Sequence, residues 1–173
     1  MAKVSKADYI WGTTRISLGL VFLWAFFDKL LGLGYATCNV DGVITRGCEK
    51  AWLEGGSPTT GFLKFGTDGP LADFYASLAG NVFVDWLFML GLLGIGLGLT
   101  LGIAMKLSTH FGALLMLMMY SAALWPENNP VIDDHIVYAL VLVGLWQVNP
   151  KQALGMGKSW KKTRLVKDNP WLA

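Results

Sequence analysis

The chain has 173 residues, of which 54% are hydrophobic, 13% aromatic and 15% charged, where a soluble domain carries roughly a quarter charged residues. The apolar residues come in uncharged blocks instead of amphipathic stripes, so the solvent that suits them is lipid. The net charge of +2 is unevenly distributed, about half of the bases lying in the two tails and most of the acids between the apolar blocks, which reads as a topology signal and not as a nucleic-acid footprint.

Four apolar blocks follow in chain order, at about residues 10–31, 82–105, 107–125 and 131–148. Each approaches the roughly 20 residues that a helix needs to cross about 30 Å of hydrocarbon. The predicted fold is all-α: a single integral membrane domain built as a four-helix bundle. It has a long outer loop over 32–81, a tight turn around Lys106, a short polar turn at 126–130 and a basic tail over 149–173. The first block begins near Tyr9, is long enough to span and lacks a small-residue cleavage motif, so it is expected to remain in the mature protein. Lys3 and Lys6 precede the first block, Lys106 marks the second turn, and Lys151, Lys158, Lys161, Lys162, Arg164 and Lys167 follow the fourth. Four spans put all three segments on one side, and the positive-inside rule makes that side cytoplasmic. The expectation is a multi-pass protein of the cell membrane with both termini inside and the long loop outside.

Cys38 and Cys48, the only cysteines, both fall in the outer loop, where an oxidising compartment lets them pair. A disulfide there closes a small loop worth roughly 3 kcal/mol. A redox-active pair is the alternative, disfavoured because the spacing is not Cys-x-x-Cys and no obvious helix start lies beside it to lower a thiol pKa. Farther along, Pro70 opens a stretch in which Leu71, Phe74, Tyr75 and Leu78 recur at helical spacing. It is too short to span, so it either lies over the outer mouth of the bundle as an interfacial helix or only connects the first two spans. Gly94, Gly98 and Gly102 stand every four residues in the second block, with Gly91 one turn earlier. Such a small-residue face lets another backbone approach closely, within this chain or from another subunit.

An ionisable group within a span costs at least about 2.5–3.5 kcal/mol at the centre, and two sets of polar groups stand out. Near the outer ends lie Trp24, Asp28 and Lys29, then Asp85 and Trp86, then Trp125 and Glu127, and finally Asp133, Asp134 and His135. Acids outnumber bases there, so some carboxylates would share protons if buried, and His135 is the natural proton carrier. Helix capping after Asn129 and Pro130 accounts for Asp133 and Asp134 but not for Asp28 and Asp85. Lys29 could simply snorkel, and the tryptophans could form an interfacial belt. The inner set comprises Arg15, His110 and Gln147. Arg15 calls for a carbonyl, a lipid phosphate or an anion as partner, and lipid anchoring is its simplest role. The basic tail, with Trp160 and Trp171, fits attachment to an anionic inner leaflet or docking of a cytoplasmic partner.

Two histidines at opposite membrane levels cannot jointly ligate one haem. Cys-x-x-Cys-His, a phosphate-binding glycine loop and an iron–sulfur cysteine cluster are all missing, so no haem, flavin or metal is expected in this chain.

Arg15 followed by Gly19 and then Asp28-Lys29-Leu30 resembles the opening signature of DoxX/DoxD-like membrane proteins. The resemblance continues through Ser57-Pro58-Thr59-Thr60-Gly61-Phe62-Leu63, Gly69-Pro70-Leu71-Ala72, Asp85-Trp86-Leu87-Phe88-Met89-Leu90-Gly91-Leu92, and Asn129-Pro130 with Asp133-Asp134-His135-Ile136-Val137-Tyr138. It covers nearly all of the chain from Arg15 to Trp146. The resemblance implies a four-helix membrane subunit, and the DoxD branch is similar to a subunit of thiosulfate:quinone oxidoreductase.

On that footing quinone is expected as a mobile substrate bound between helices at the outer level. Trp24 or Trp125 would pack the ring, Lys29, Asp85 and Glu127 would line the site, and Asp28, Asp133 or His135 would exchange protons. Lys29 or Arg46 would attract an anionic donor. The alternative is a non-catalytic anchor or assembly subunit of a larger respiratory complex, acting through the glycine face, the outer loop and the basic tail. A small transporter ranks last, since neither a repeat nor broken helices are visible. The expected partners are the lipid bilayer and other membrane subunits or a second copy, with no nucleic acid.

Overall fold

Helices make up most of the computed structural model, which describes residues 4–126, 129–148 and 153–172. Helix α1 (Lys6–Leu31) starts before the apolar block because its cap is polar. The Asp8 carboxylate accepts the Ser5 N–H at 2.7 Å and Ser5 Oγ accepts the Asp8 N–H at 3.2 Å, a reciprocal capping box that satisfies backbone donors at the helix start. The helix stops where Gly32 turns left-handed (φ 61°), and the N–H groups of Gly32 and Leu33 both return to the Asp28 carbonyl, at 2.8 and 3.4 Å. This is a glycine C-cap. A Cβ on Gly32 would also stand 2.6 Å from Cys38 Sγ, so both backbone angle and space demand glycine.

The segment expected as a loop with one interfacial helix holds more structure than that. Strands β1 (Asn39–Val40) and β2 (Val43–Ile44) form an antiparallel hairpin, Asn39 facing Ile44 and Val40 facing Val43. A 3-10 turn at Trp52–Glu54, helix α2 (Thr60–Phe65), a second 3-10 turn at Gly69–Leu71 and helix α3 (Ala72–Ser77) follow. Helix α3 is the amphipathic stretch, and Tyr75 turns inward with Leu63 and Ala122. The Tyr75 hydroxyl donates to the Met118 carbonyl at 3.2 Å and lies 2.6 Å from Ser121 Oγ, while Leu71 and Phe74 stay exposed.

Three apolar helices come next: α4 (Val82–Leu101), α5 (Met105–Ala122) and α6 (Asp134–Val148). Each differs from its predicted bounds for a local reason. The second block ends at 101, not 105, because Gly102 is left-handed (φ 71°) and the Ile103 N–H closes back on the Gly98 carbonyl at 3.0 Å, a Schellman ending. The turn is therefore at 102–104, and Lys106 sits in the first turn of α5. Helix α5 stops at 122, not 125: Ala123 bridges to Asp68, and the Asp68 N–H takes the Ala122 carbonyl at 3.0 Å. Helix α6 begins at 134, not 131, because Asn129 Oδ1 accepts the Val131 and Ile132 N–H groups at 3.0 and 3.3 Å, an Asx turn that competes with helix. By length and composition two helices, α1 and α4, can cross a membrane, and α6 is a shorter apolar helix of 15 residues.

The chain divides into two compact units. The first comprises Met1–Phe22, Gly94–Leu117 and Asp134–Ala173; its buried residues include Leu18, Ile95, Leu99, Met116, Leu142 and Leu145. Helices α1 and α4 come together there at Gly19, where a Cβ would lie 2.5 Å from Thr100 Oγ1, 2.7 Å from the Thr100 nitrogen and 3.0 Å from the Gly96 carbonyl oxygen. A Cβ at Gly98 would collide with Ser108 Oγ of α5, and one at Gly112 of α5 would meet Leu142 and Ile95.

Within the chain Gly94, Gly98 and Gly102 do not act as one face. Gly98 meets α5, Gly102 ends the helix, Gly91 and Gly94 look onto open space, and α1 approaches α4 at Thr100 and the Gly96 carbonyl. Gly19→Val is expected to destabilise by about 1–3 kcal/mol, since backbone cannot withdraw as a side chain can. Gly94→Ala is expected to stabilise by up to about 1 kcal/mol through helix propensity. Thermal melting followed by circular dichroism separates the two.

The tail of this unit is also structured, as α7 (Gly157–Trp160), α8 (Arg164–Asp168) and a 3-10 turn at Pro170–Leu172. The second unit comprises Leu23–Leu93 and Met118–Asp133. It buries Phe26, Cys38, Ala51, Leu63, Tyr75, Met89 and Leu92.

Candidate functional site

Asp28 lies in the last turn of α1 with 2% of its surface exposed. A carboxylate there faces the negative end of the helix dipole, so its position needs compensation. Three consecutive backbone donors provide it: Oδ1 accepts the Tyr35 N–H at 3.1 Å, and Oδ2 accepts the Ala36 and Thr37 N–H groups at 3.0 and 2.9 Å. This is an anion nest of the chain's own making. The next residue, Cys38, is disulfide-bonded to Cys48 with Cα atoms 5.7 Å apart. The expected disulfide is thus present, and the Asp28 carboxylate holds the start of the loop that it closes.

Asp85, in the first turn of α4, is equally occupied. Its Oδ1 accepts hydroxyl hydrogens from Ser57 at 2.9 Å and Thr59 at 2.5 Å. Ser57 Oγ in turn accepts the Thr60 N–H and hydroxyl at 3.2 and 2.8 Å. The carboxylate thereby ties the Ser57-Pro58-Thr59-Thr60 segment to α4. The two acids that capping could not explain both anchor the segment between α1 and α4. Sequence reasoning missed Ser57, Thr59 and Thr60 as partners, although three hydroxyls in four residues are the signal that could have found them.

The aromatic candidates sit toward the surface. Trp24 meets Tyr35 edge to face with ring centroids 4.9 Å apart, and Trp86 meets Trp52 likewise at 4.7 Å. Trp24, Trp86 and Trp125 are exposed, and Lys29 is half-buried. In the first unit His135 Nδ1 lies 3.6 Å from Asp134 Oδ1 at the start of α6, and Asp133, which ends the second unit, is half-buried. Glu127 lies outside the described residues.

The inner set does not form a group. Arg15 is 2% exposed, and its partners are carbonyls, not lipid: Nη1 donates to Leu99 at 2.9 Å and Nη2 to Leu154 at 3.0 Å. The guanidinium completes the ending of α4, where the last carbonyls have no intrahelical donor and the dipole favours a cation. Gly98 is served by the Ile103 N–H, Leu99 by Arg15, and Leu101 by the Met156 N–H at 2.8 Å. His110 and Gln147 instead face outward. His110 Nδ1 lies 2.6 Å from the Lys106 carbonyl oxygen, and its ring meets Trp146 edge to face at 4.8 Å.

Fold and site together define a mostly helical chain with two helices long and apolar enough to cross a membrane and a disulfide-braced segment held by two buried carboxylates. Comparisons of this chain with protein-family models, curated proteins and solved structures each find no match.

Proposed function

We propose that the chain is a four-span integral membrane protein, its termini cytoplasmic and its cysteine segment outside, serving as a membrane subunit of a quinone-linked oxidoreductase of the DoxX/DoxD kind. The observation that carries the membrane reading is the distribution of polarity. Leu20, Phe27, Leu87, Leu90, Leu114 and Leu140, drawn from all four long helices, are exposed, while Arg15, Asp28 and Asp85 are buried. Large apolar surfaces of this kind are rare on soluble monomers and necessary in lipid. Local thinning and snorkelling accommodate helices shorter than the hydrocarbon.

The resemblance supplies the quinone. Asp28 and Asp85 hold the segment between α1 and α4, and the imidazole of His135, beside Asp134 at the start of α6, is the group suited to exchange a proton with a quinone oxygen. The exposed rings of Trp24 and Trp125 offer apolar stacking surfaces. The test is thiosulfate-dependent reduction of a short-chain quinone by protein extracted with its native lipid and partners. His135→Ala is expected to lower turnover by about 100-fold or more. Absence of both quinone binding and quinone reduction would sink the redox reading.

A second reading, a non-catalytic assembly subunit, is favoured by the same commitment of Asp28 and Asp85 to structure. It expects a stable partner in gentle detergent and a turnover unmoved by His135→Ala.

A further inference from the structure

Where α5 begins and α6 ends, a base, an imidazole and an indole share one outward surface of the first unit. Lys106, His110, Leu114 and Leu117 stand at i, i+4, i+8 and i+11 on α5 and are all exposed, so they run along one helical face. His110 meets the ring of Trp146 edge to face at 4.8 Å, which sets this face beside the exposed Trp146 and Val143 of α6. The Lys106 carbonyl, 2.6 Å from Nδ1 of His110, can only accept. Nδ1 therefore carries the hydrogen, and the neutral ring offers Nε2 as an acceptor. Among the described residues nothing donates to Nε2, and no carboxylate pairs with the Lys106 ammonium. The unit contains three acids, each engaged or placed elsewhere. Asp8 accepts the Ser5 N–H and hydroxyl at 2.7 and 2.8 Å, and Asp168 lies 3.8 Å from Arg164. Asp134 opens α6, about 18 Å along the axis from Trp146.

We infer that this seam binds an anionic phospholipid whose head group carries hydroxyls, of the phosphatidylglycerol class. The phosphate rests against the Lys106 ammonium, a head-group hydroxyl donates to Nε2 of His110, and an acyl chain lies along Leu114, Leu117 and Val143. The groups that select this occupant stand on the same face as the apolar residues that hold its chain. Charge complementarity at Lys106 disfavours a zwitterionic lipid, which would bring its own cation to the ammonium. The acceptor at Nε2 disfavours an anionic diester without a hydroxyl, which would leave that nitrogen unpartnered. A peptide would present backbone polar groups to the leucines and the valine. The inference rests on the membrane reading above and is independent of the redox one.

The full chain, purified in detergent, is titrated with phosphatidylglycerol, phosphatidylethanol and phosphatidylcholine of the same acyl chains, and occupancy is read by native mass spectrometry. Phosphatidylglycerol is expected to bind about 10-fold more tightly than phosphatidylcholine. Over phosphatidylethanol, which has the charge but no hydroxyl, the advantage should be about 5-fold, the worth of one hydrogen bond. Lys106→Gln should abolish the first preference and keep the second. His110→Phe, which keeps a ring against Trp146, should abolish the second and keep the first, and the preference that each variant retains reports that its seam is still folded. K158Q/K161Q/K162Q, altered in the tail, should leave both in place, and glycerol phosphate should not displace the lipid. Equal affinity for phosphatidylglycerol and phosphatidylcholine, a first preference that survives Lys106→Gln, a second that survives His110→Phe, or displacement by glycerol phosphate would each overturn the proposal. Carbonate extraction of membranes tests the underlying reading separately: a protein that washes off is not integral, whatever lipid it binds.

Discussion

Arg15→Leu is expected to lower stability by on the order of 3 kcal/mol, since each hydrogen bond to a charged group contributes about 1.5–3 kcal/mol and two are lost. The melting temperature should fall by roughly 6–12 °C for a chain of this size. Replacing a buried ionic network with apolar side chains is often harmless, provided that every polar member goes. Here the acceptors are the Leu99 and Leu154 carbonyls, which no substitution removes, so leucine would leave them facing hydrocarbon. Arg15→Lys keeps the charge at the end of α4 but gives up the planar fork that reaches both oxygens, so an intermediate loss is expected. Because Nη2 holds the tail at Leu154, both variants should also speed hydrogen exchange over 154–160. A melting temperature unchanged in Arg15→Leu would show that the two carbonyls find other donors.

What could be read in advance tracks the nature of the partner. The apolar blocks, the cysteine pairing and the need of Arg15 for a partner are properties of side chains, and the sequence displays side chains. The acceptors of Arg15 and the donors to Asp28 are backbone groups of Leu99, Leu154, Tyr35, Ala36 and Thr37, which every residue carries alike. Helix ends were displaced for a related reason. Hydropathy measures apolar content, whereas Ser5, Gly102 and Asn129 set the ends of α1, α4 and α6 through caps and turns.

The glycines of α4 show a third limit. A four-residue spacing identified Gly94, Gly98 and Gly102 as one face, but glycine also stands at 91 and 96. Which of these meets another helix depends on where α1 and α5 lie: Gly98 faces Ser108 of α5, and the close approach of α1 is made by its own Gly19 against Thr100 and the Gly96 carbonyl.

Asp28→Ala is expected to release the loop that begins at Gly32. Three partly buried N–H groups lose their acceptor, each at about 1–3 kcal/mol if left unsatisfied. Part of that is recovered because Tyr35 and Ala36 are exposed and their segment can take up water, so a net loss of about 3 kcal/mol is expected. The approach to the disulfide would then rest on backbone bonds alone, from the Gly34 N–H to the Thr37 carbonyl and from the Gly47 N–H to the Gly32 carbonyl, and Cys38 and Cys48 should become more reactive toward an alkylating reagent after mild reduction. Asp28→Asn distinguishes an anchor from a proton carrier. Its amide oxygen can take the place of Oδ2 and keep the Ala36 and Thr37 N–H groups, but its amino group then meets the Tyr35 N–H as donor against donor. Anchoring therefore orders amide protection at 35–37 as Asp above Asn above Ala, with any loss of turnover following the same order. A proton carrier gives a different pattern: Asn abolishes turnover while the amides of 35–37 stay as protected as in the parent, and that result would remove Asp28 from the structural role assigned to it.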